Sequence, residues 1–183
     1  MNNDPKNTTC FETSIDVNSD IELNTEIVVD IQSDSSEYFH PDTQDIKCWI
    51  ELVLASTDNN HYQHVEVSLK VVGEKVGAEL NQQYRSKKGP TNILSFPLDP
   101  PNNIPFAHLG DLVVCAPVVE AEASTQQKPL PHHWAHMIIH GLLHLLGFDH
   151  IDNQEADTME SLEIKILQQL GLPNPYTEIS TQP

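Results

Sequence analysis

The segment His140-Gly-Leu-Leu-His144-Leu-Leu-Gly147-Phe-Asp-His150 constrains this chain more than any other. On a helix, residues four apart lie one turn apart, so His140 and His144 point the same way. Gly147 follows at the place where a residue with positive φ ends a helix. The chain can then turn back and bring His150 to the same point. Three imidazoles leave one position of a tetrahedral ion open, which is how catalytic rather than structural zinc is held. The donors are all nitrogen, with no Cys in the segment. This favours one Zn²⁺ ion, with Ni²⁺, Co²⁺ and Cu²⁺ as competitors in vitro.

Other histidines compete for the third place. His136, His140 and His144 form a helical row spanning about 12 Å at the ~1.5 Å rise per residue, too long for all three to reach one ion. His150 is therefore the third ligand, and His136 a buried, hydrogen-bonded neighbour. His132 and His133, at the helix start, read as surface or packing residues. His40, His61, His64 and His108 are isolated and carry no role.

The histidine spacing also matches H-E-x-x-H-x-x-G-x-x-H of the metzincin proteases, but Gly141 stands where they carry Glu. That Glu is their general base, and losing a general base costs about 10²- to 10⁴-fold in rate. The metal motif points to a hydrolase, and Gly141 argues against a peptidase.

Two further residues are candidates for catalysis. Asp149 adjoins His150 and suits either proton transfer or orientation of a ligand imidazole; it reads equally as a solvated turn residue. Arg85 is the only arginine and lies beside Lys87 and Lys88. Its guanidinium offers a fork to phosphate oxygens, while the plainer reading is a helix-end cation near the last carbonyls. Trp134 and Phe148 flank the metal motif and read as core packing before base stacking. Cys115 reads as a small core residue.

The net charge of −18 argues against general binding to nucleic acid, which relies on Lys and Arg. Much of the acid lies in the first sixty residues and near the C-terminus, so a local cationic site can still hold a phosphate. The 183 residues suit one domain. No apolar run approaches the ~20 residues of a membrane span, and the N-terminus lacks a signal pattern. Cys10, Cys48 and Cys115 are scattered and read as reduced thiols of a cytosolic protein.

Residues 1–25 are polar and are expected to form a disordered or loosely ordered acidic extension. Strands are expected at 26–31, 64–72, 93–96 and 109–115, from β-branched runs and alternation. Helices are expected from Thr43 to about Ala55, over 73–84, from Pro117 to about Gln127, from Pro131 to about Leu146, and from a cap at Asp152 or Asn153 to about Leu170. Pro97, Pro100, Pro101 and Pro105 hold a loop open. The whole reads as one α+β domain over 26–177, a small mixed sheet of about four strands covered by helices, with a tail at 178–183.

Several separated blocks resemble the YbeY family of bacterial metal-dependent endoribonucleases. They are Leu80-Asn-Gln-Gln-Tyr-Arg85, Pro90-Thr-Asn-Ile-Leu-Ser-Phe-Pro97, Leu109-Gly-Asp-Leu-Val-Val114, His133-Trp-Ala-His136 and the His140–His150 motif. Glu155-Ala156, Met159-Glu160 and Asn174-Pro-Tyr176 continue the likeness over roughly residues 26–177. The resemblance implies a zincin-like metal helix, with His140, His144 and His150 as zinc ligands and Arg85 in contact with the RNA backbone. It implies a cytoplasmic enzyme of single-stranded RNA, acting in 16S rRNA 3′-end maturation and ribosome quality control. Lys88 departs from the family, which carries Asp there.

Neither DNA nor a membrane is an expected partner, whereas the acidic body suits a basic small-subunit ribosomal protein. Two other readings stay open: a non-enzymatic ribosome assembly factor with a structural metal, and a metallopeptidase.

Overall fold

The structure, a computed structural model, describes residues 25–57, 59, 61–98 and 106–177. The expectations for residues 1–24, Cys10, the prolines at 100, 101 and 105, and the tail at 178–183 lie outside the described residues.

Four strands form one mixed sheet in the order β1-β2-β4-β3. β1 (Glu26–Ser33), β2 (His64–Val72) and β4 (Phe106–Cys115) run parallel, and β3 (Ile93–Pro97) closes one edge antiparallel to β4. Strict alternation in β2 turns Val65, Val67, Leu69 and Val71 inward and leaves Glu66 and Lys70 exposed. β4 starts at Phe106, three residues before the sequence expectation, because its ladder with β2 continues through Phe106 opposite His64. A bulge beside Glu66/Val67 shifts its parity, so Ala107 and Leu109 before it and Leu112 and Val114 after it all face the core.

Helix α1 (Thr43–Ser56) crosses from β1 to β2, N-capped by Asp42, whose carboxylate accepts the Asp45 N–H at 2.9 Å. Helix α2 (Glu74–Arg85) follows β2, and α3 (Ala116–Thr125) follows β4. Helix α4 (Leu130–Leu145) carries Pro131 in its first turn, as the sequence suggests. Helix α5 (Asn153–Gln169) opens on a capping box between Asp152 and Glu155.

The core lies between one face of the sheet and α1, α4 and α5. Trp49, Ile50 and Val53 of α1 and Trp134, Ile138, Ile139 and Leu142 of α4 pack there against Val67, Leu69, Leu112 and Val114. Each such burial is worth roughly 1.5–3 kcal/mol. Trp134 thus serves packing. The other sheet face is covered only in part, by α2, whose buried residues are Gly77 and Asn81 alone. Among the described residues no helix is long and apolar enough to cross a membrane.

Candidate metal centre

His140 and His144 project from the last two turns of α4. The helix then stops in a Schellman turn: the Gly147 N–H donates to the His144 carbonyl, and the Phe148 N–H to that of Leu143, both at 3.0 Å. Gly147 takes φ 88°, a left-handed conformation that favours glycine. The reversal brings His150 back, so that one nitrogen of each of the three histidines lies within 4.8 Å of the others. The three residues singled out by spacing converge in space.

Hydrogen bonds fix which nitrogens face one another. His144 Nδ1 lies 2.9 Å from the Phe148 carbonyl. A carbonyl only accepts, so Nδ1 carries the proton and Nε2 presents a lone pair. His140 Nδ1 lies 2.8 Å from Glu163 Oε1, and the same reasoning leaves its Nε2 unprotonated. The two Nε2 atoms are 3.2 Å apart. In neutral imidazoles this sets lone pair against lone pair with no proton between them, an apposition that a cation relieves. A tetrahedral ion with Zn–N bonds of ~2.0–2.1 Å requires nitrogens about 3.3 Å apart. The donor set and spacing therefore fit a metal ion such as Zn²⁺.

Glu163 of α5 is the residue that sequence reasoning missed. It is 1 % exposed and spans two histidines, with Oε1 on His140 and Oε2 at 2.7 Å from His136 Nε2. The Tyr176 hydroxyl also donates to Oε2, at 2.5 Å. Burial pushes the Glu163 carboxyl up, but the hydrogen bonds from His136, His140 and Tyr176 outweigh it and hold the pKa at about 2. Burial and the facing carboxylate push the Tyr176 phenol upward. Burial, then the neighbouring His140 and His150, hold the His144 imidazole below its usual value, which favours the neutral form that a metal needs. A signal for Glu163 was present: an acidic residue between Met159 and Ile166 on the buried stripe of α5 demands partners.

His136 is the hydrogen-bonded neighbour anticipated, though only partly buried, with its side chain 12 % exposed. His133 corrects the surface alternative, being 2 % exposed with Nε2 2.9 Å from Glu122 Oε2. Glu122, on α3, also accepts from Asn92 Nδ2 at 3.2 Å, while Asn92 Oδ1 accepts the Ile93 N–H at 2.7 Å. Burial raises the Glu122 pKa, and His133 and Asn92 more than reverse this. Asn81 Nδ2 donates to the Gly89 carbonyl at 2.8 Å. The segment joining α2 to β3, which begins beside Arg85, is thereby tied down at both ends.

The three histidines line a cavity of about 420 Å³ together with Arg85, Lys87, Asn92, Ile93, Ser95 and Asp149. Arg85 makes no ion pair or hydrogen bond with any described residue, so its guanidinium is open to an anion. Asp149 Oδ1 accepts the His150 N–H at 2.8 Å and lies 4.0 Å from His144 Nδ1. The structure thus brings both sequence candidates to the histidines, while Lys88 does not line the cavity. Gly141 faces β3 and β4, where an added Cβ would meet Ile93 Cδ1 at 2.6 Å and Leu112 Cδ2 at 2.8 Å. A side chain at this position would therefore require the ends of the Ile93 and Leu112 side chains to shift.

The family model described as endoribonuclease YbeY matches residues 29–171. Among proteins named endoribonuclease YbeY, that of Cellvibrio japonicus is 50 % identical over 83 % of this chain and 84 % of its own. The Methylococcus capsulatus protein is 50 % identical over 76 % and 89 %, and the Colwellia psychrerythraea protein 44 % over 82 % and 97 %. The fold is similar to a Thermotoga maritima protein solved in solution, with TM-score 0.52 and 22 % identity over 85 % of this chain and all of the other. With the match extending through β1 to α5 and over the whole metal motif, this chain belongs to the endoribonuclease YbeY family.

Proposed function

We propose that this protein is a single-strand-specific, metal-dependent endoribonuclease, using one Zn²⁺ ion held by His140, His144 and His150. One observation carries the reading: two lone-pair nitrogens held 3.2 Å apart share a cavity with an unpaired arginine. The first invites a cation and the second an anion, and a phosphodiester is an anion that a metal can activate. The wider role, 16S rRNA 3′-end maturation and ribosome quality control in the cytoplasm, rests on the family resemblance. We assign the hydrolase activity to a single domain over residues 26–177, with the acidic extension at 1–25 and the tail at 178–183 outside it.

When bound, Zn²⁺ supplies Lewis acidity at the phosphodiester. The chain's own residues do the rest. Arg85 grips the phosphoryl oxygens with two N–H donors and stabilises the charge that grows there. Lys87 adds a second positive charge at the cavity wall. Asp149 takes up the proton released by the nucleophile. Glu163 and the Phe148 carbonyl hold the two helical imidazoles in one tautomer. A 2′,3′-cyclic phosphate product identifies the ribose 2′-OH as nucleophile, and a 5′-phosphate on the downstream fragment identifies water.

The test is cleavage of an end-labelled single-stranded RNA by wild type and by His144→Ala, purified identically and checked for folding. Cleavage by wild type alone supports the proposal. Equal cleavage by both assigns the activity to another site or a contaminant. No cleavage by either favours the reading as an assembly factor, for which the net charge of −18 suits a basic small-subunit ribosomal protein as partner.

A further inference from the structure

A second cavity, of about 480 Å³, lies on the opposite face of the sheet, between the open strands and α2. One wall is aromatic. Tyr84 and Phe96 meet edge to face with ring centroids 4.8 Å apart, and Tyr84 is 57 % exposed. Val76 and Leu80 of α2 add apolar lining, and Asp30, Gln32, Ser68 and Asp111 lie beside one another on β1, β2 and β4, with Gln32 Nε2 donating to Asp30 Oδ2 at 2.9 Å. The cavity's one cation, Lys70, is 3.9 Å from Asp34.

This combination selects its ligand. The carboxylates of Asp30 and Asp111 repel phosphate. They accept hydrogen bonds from the exocyclic amine or ring N–H groups of a base, while an exposed aromatic face stacks any base. The cavity is also joined to the metal centre by two peptide bonds. Tyr84 and Phe96 line it, whereas Arg85 and Ser95, the adjoining residues, line the metal cavity. Successive side chains of β3 point to opposite faces of the sheet, and β3 is its edge strand, so a strand whose phosphate lies at Arg85 reaches Tyr84 by passing around that edge.

We infer that this groove is a nucleobase-binding subsite, taking an unpaired base flanking the scissile phosphate, stacked against Tyr84 and hydrogen-bonded by Asp30, Gln32, Ser68 and Asp111. The inference rests on the endoribonuclease reading above. It supplies a physical reason for single-strand specificity, since a base held in a duplex has no face free to stack.

The experiment is a binding cycle in fluorescence anisotropy. Wild type and Tyr84→Ala are titrated with a short single-stranded RNA and with a series carrying one abasic nucleotide at each position. Tyr84 is exposed, so its removal leaves the core intact, and a thermal melt checks this. The expected result is about tenfold weaker binding by Tyr84→Ala to the intact RNA. One abasic position should weaken wild type to the same extent and Tyr84→Ala hardly at all. Equal affinity of both proteins for every RNA overturns the subsite and leaves the nuclease standing. A loss in Tyr84→Ala that no abasic position reproduces also overturns it, because the tyrosine then acts otherwise than by stacking a base. If Tyr84→Ala instead loses a lysine-rich peptide and keeps RNA, the groove is a protein-docking site. Failure of wild type to bind or cut any single-stranded RNA removes the nuclease reading and this inference together.

Discussion

Oε1 of Glu163 lies 2.8 Å from Nδ1 of His140, on the side of the ring away from His144. The carboxylate therefore orients the His140 ring without itself belonging to the cluster of three histidines that could hold a metal ion. Substitution by Glu163→Gln offers an amide in place of a full negative charge. Zinc affinity, read by competition with a chromophoric chelator, should fall about 10- to 100-fold, as for other partners of ligating histidines. Unchanged affinity would show that the His140 tautomer is held by other means.

The same carboxylate makes stability depend on pH. Its folded pKa is about 2, well below the 4.5 of an ordinary glutamate. A depressed pKa contributes stability above the unfolded value and loses it as pH falls toward the folded one. Metal-free wild type should therefore lose up to about 3 kcal/mol between about pH 5 and pH 2 from this group, at ~1.36 kcal/mol per unit. Urea midpoints measured at several pH values should show a shallower acid loss in Glu163→Gln than in wild type.

Arg85 is separable from the metal. Because it makes no contact with the three histidines, Arg85→Ala should leave zinc affinity and melting temperature unchanged. RNA cleavage should fall by about 10²- to 10³-fold, the cost of removing one preorganised donor to a developing oxyanion. Arg85→Lys keeps the charge but not the fork and should recover only part of the rate. A full rescue by Lys would reduce the role to simple charge.

Gly141→Glu restores the metzincin pattern and should yield no peptidase. Its Cβ enters space held by the side-chain ends of Ile93 and Leu112, which must shift to admit it. Such overpacking costs about 1–3 kcal/mol. Thermal and urea unfolding should show a loss of that size, with casein hydrolysis absent.

Periodicity made most of the fold legible. Alternation located β2, and a capping residue, Asp152, located the start of α5, whereas α1 is capped by Asp42 and not by Thr43. The convergence of the three histidines was legible because helix geometry and a helix-ending glycine act within eleven residues. Glu163, Glu122 and Asn92 were not, because their partners lie 23, 11 and 30 residues away in sequence. Such pairings depend on how α3, α4 and α5 pack, which no local period encodes. The start of β4 was missed for a related reason: its first residues are ordered by the ladder to β2 and not by their own hydropathy. The Tyr84–Phe96 contact joins residues from a helix and a strand, which single-element patterns do not pair.

The Glu122 carboxylate touches both Asn92, which immediately precedes β3, and His133, which lies on the helix that carries His140 and His144. Helix α3 contributes no residue to the lining of the cavity that holds the three histidines. Through one carboxylate it nevertheless fastens the Asn92 wall of that cavity to the helix that forms the opposite wall. A map of the lining residues alone would leave that tie blank.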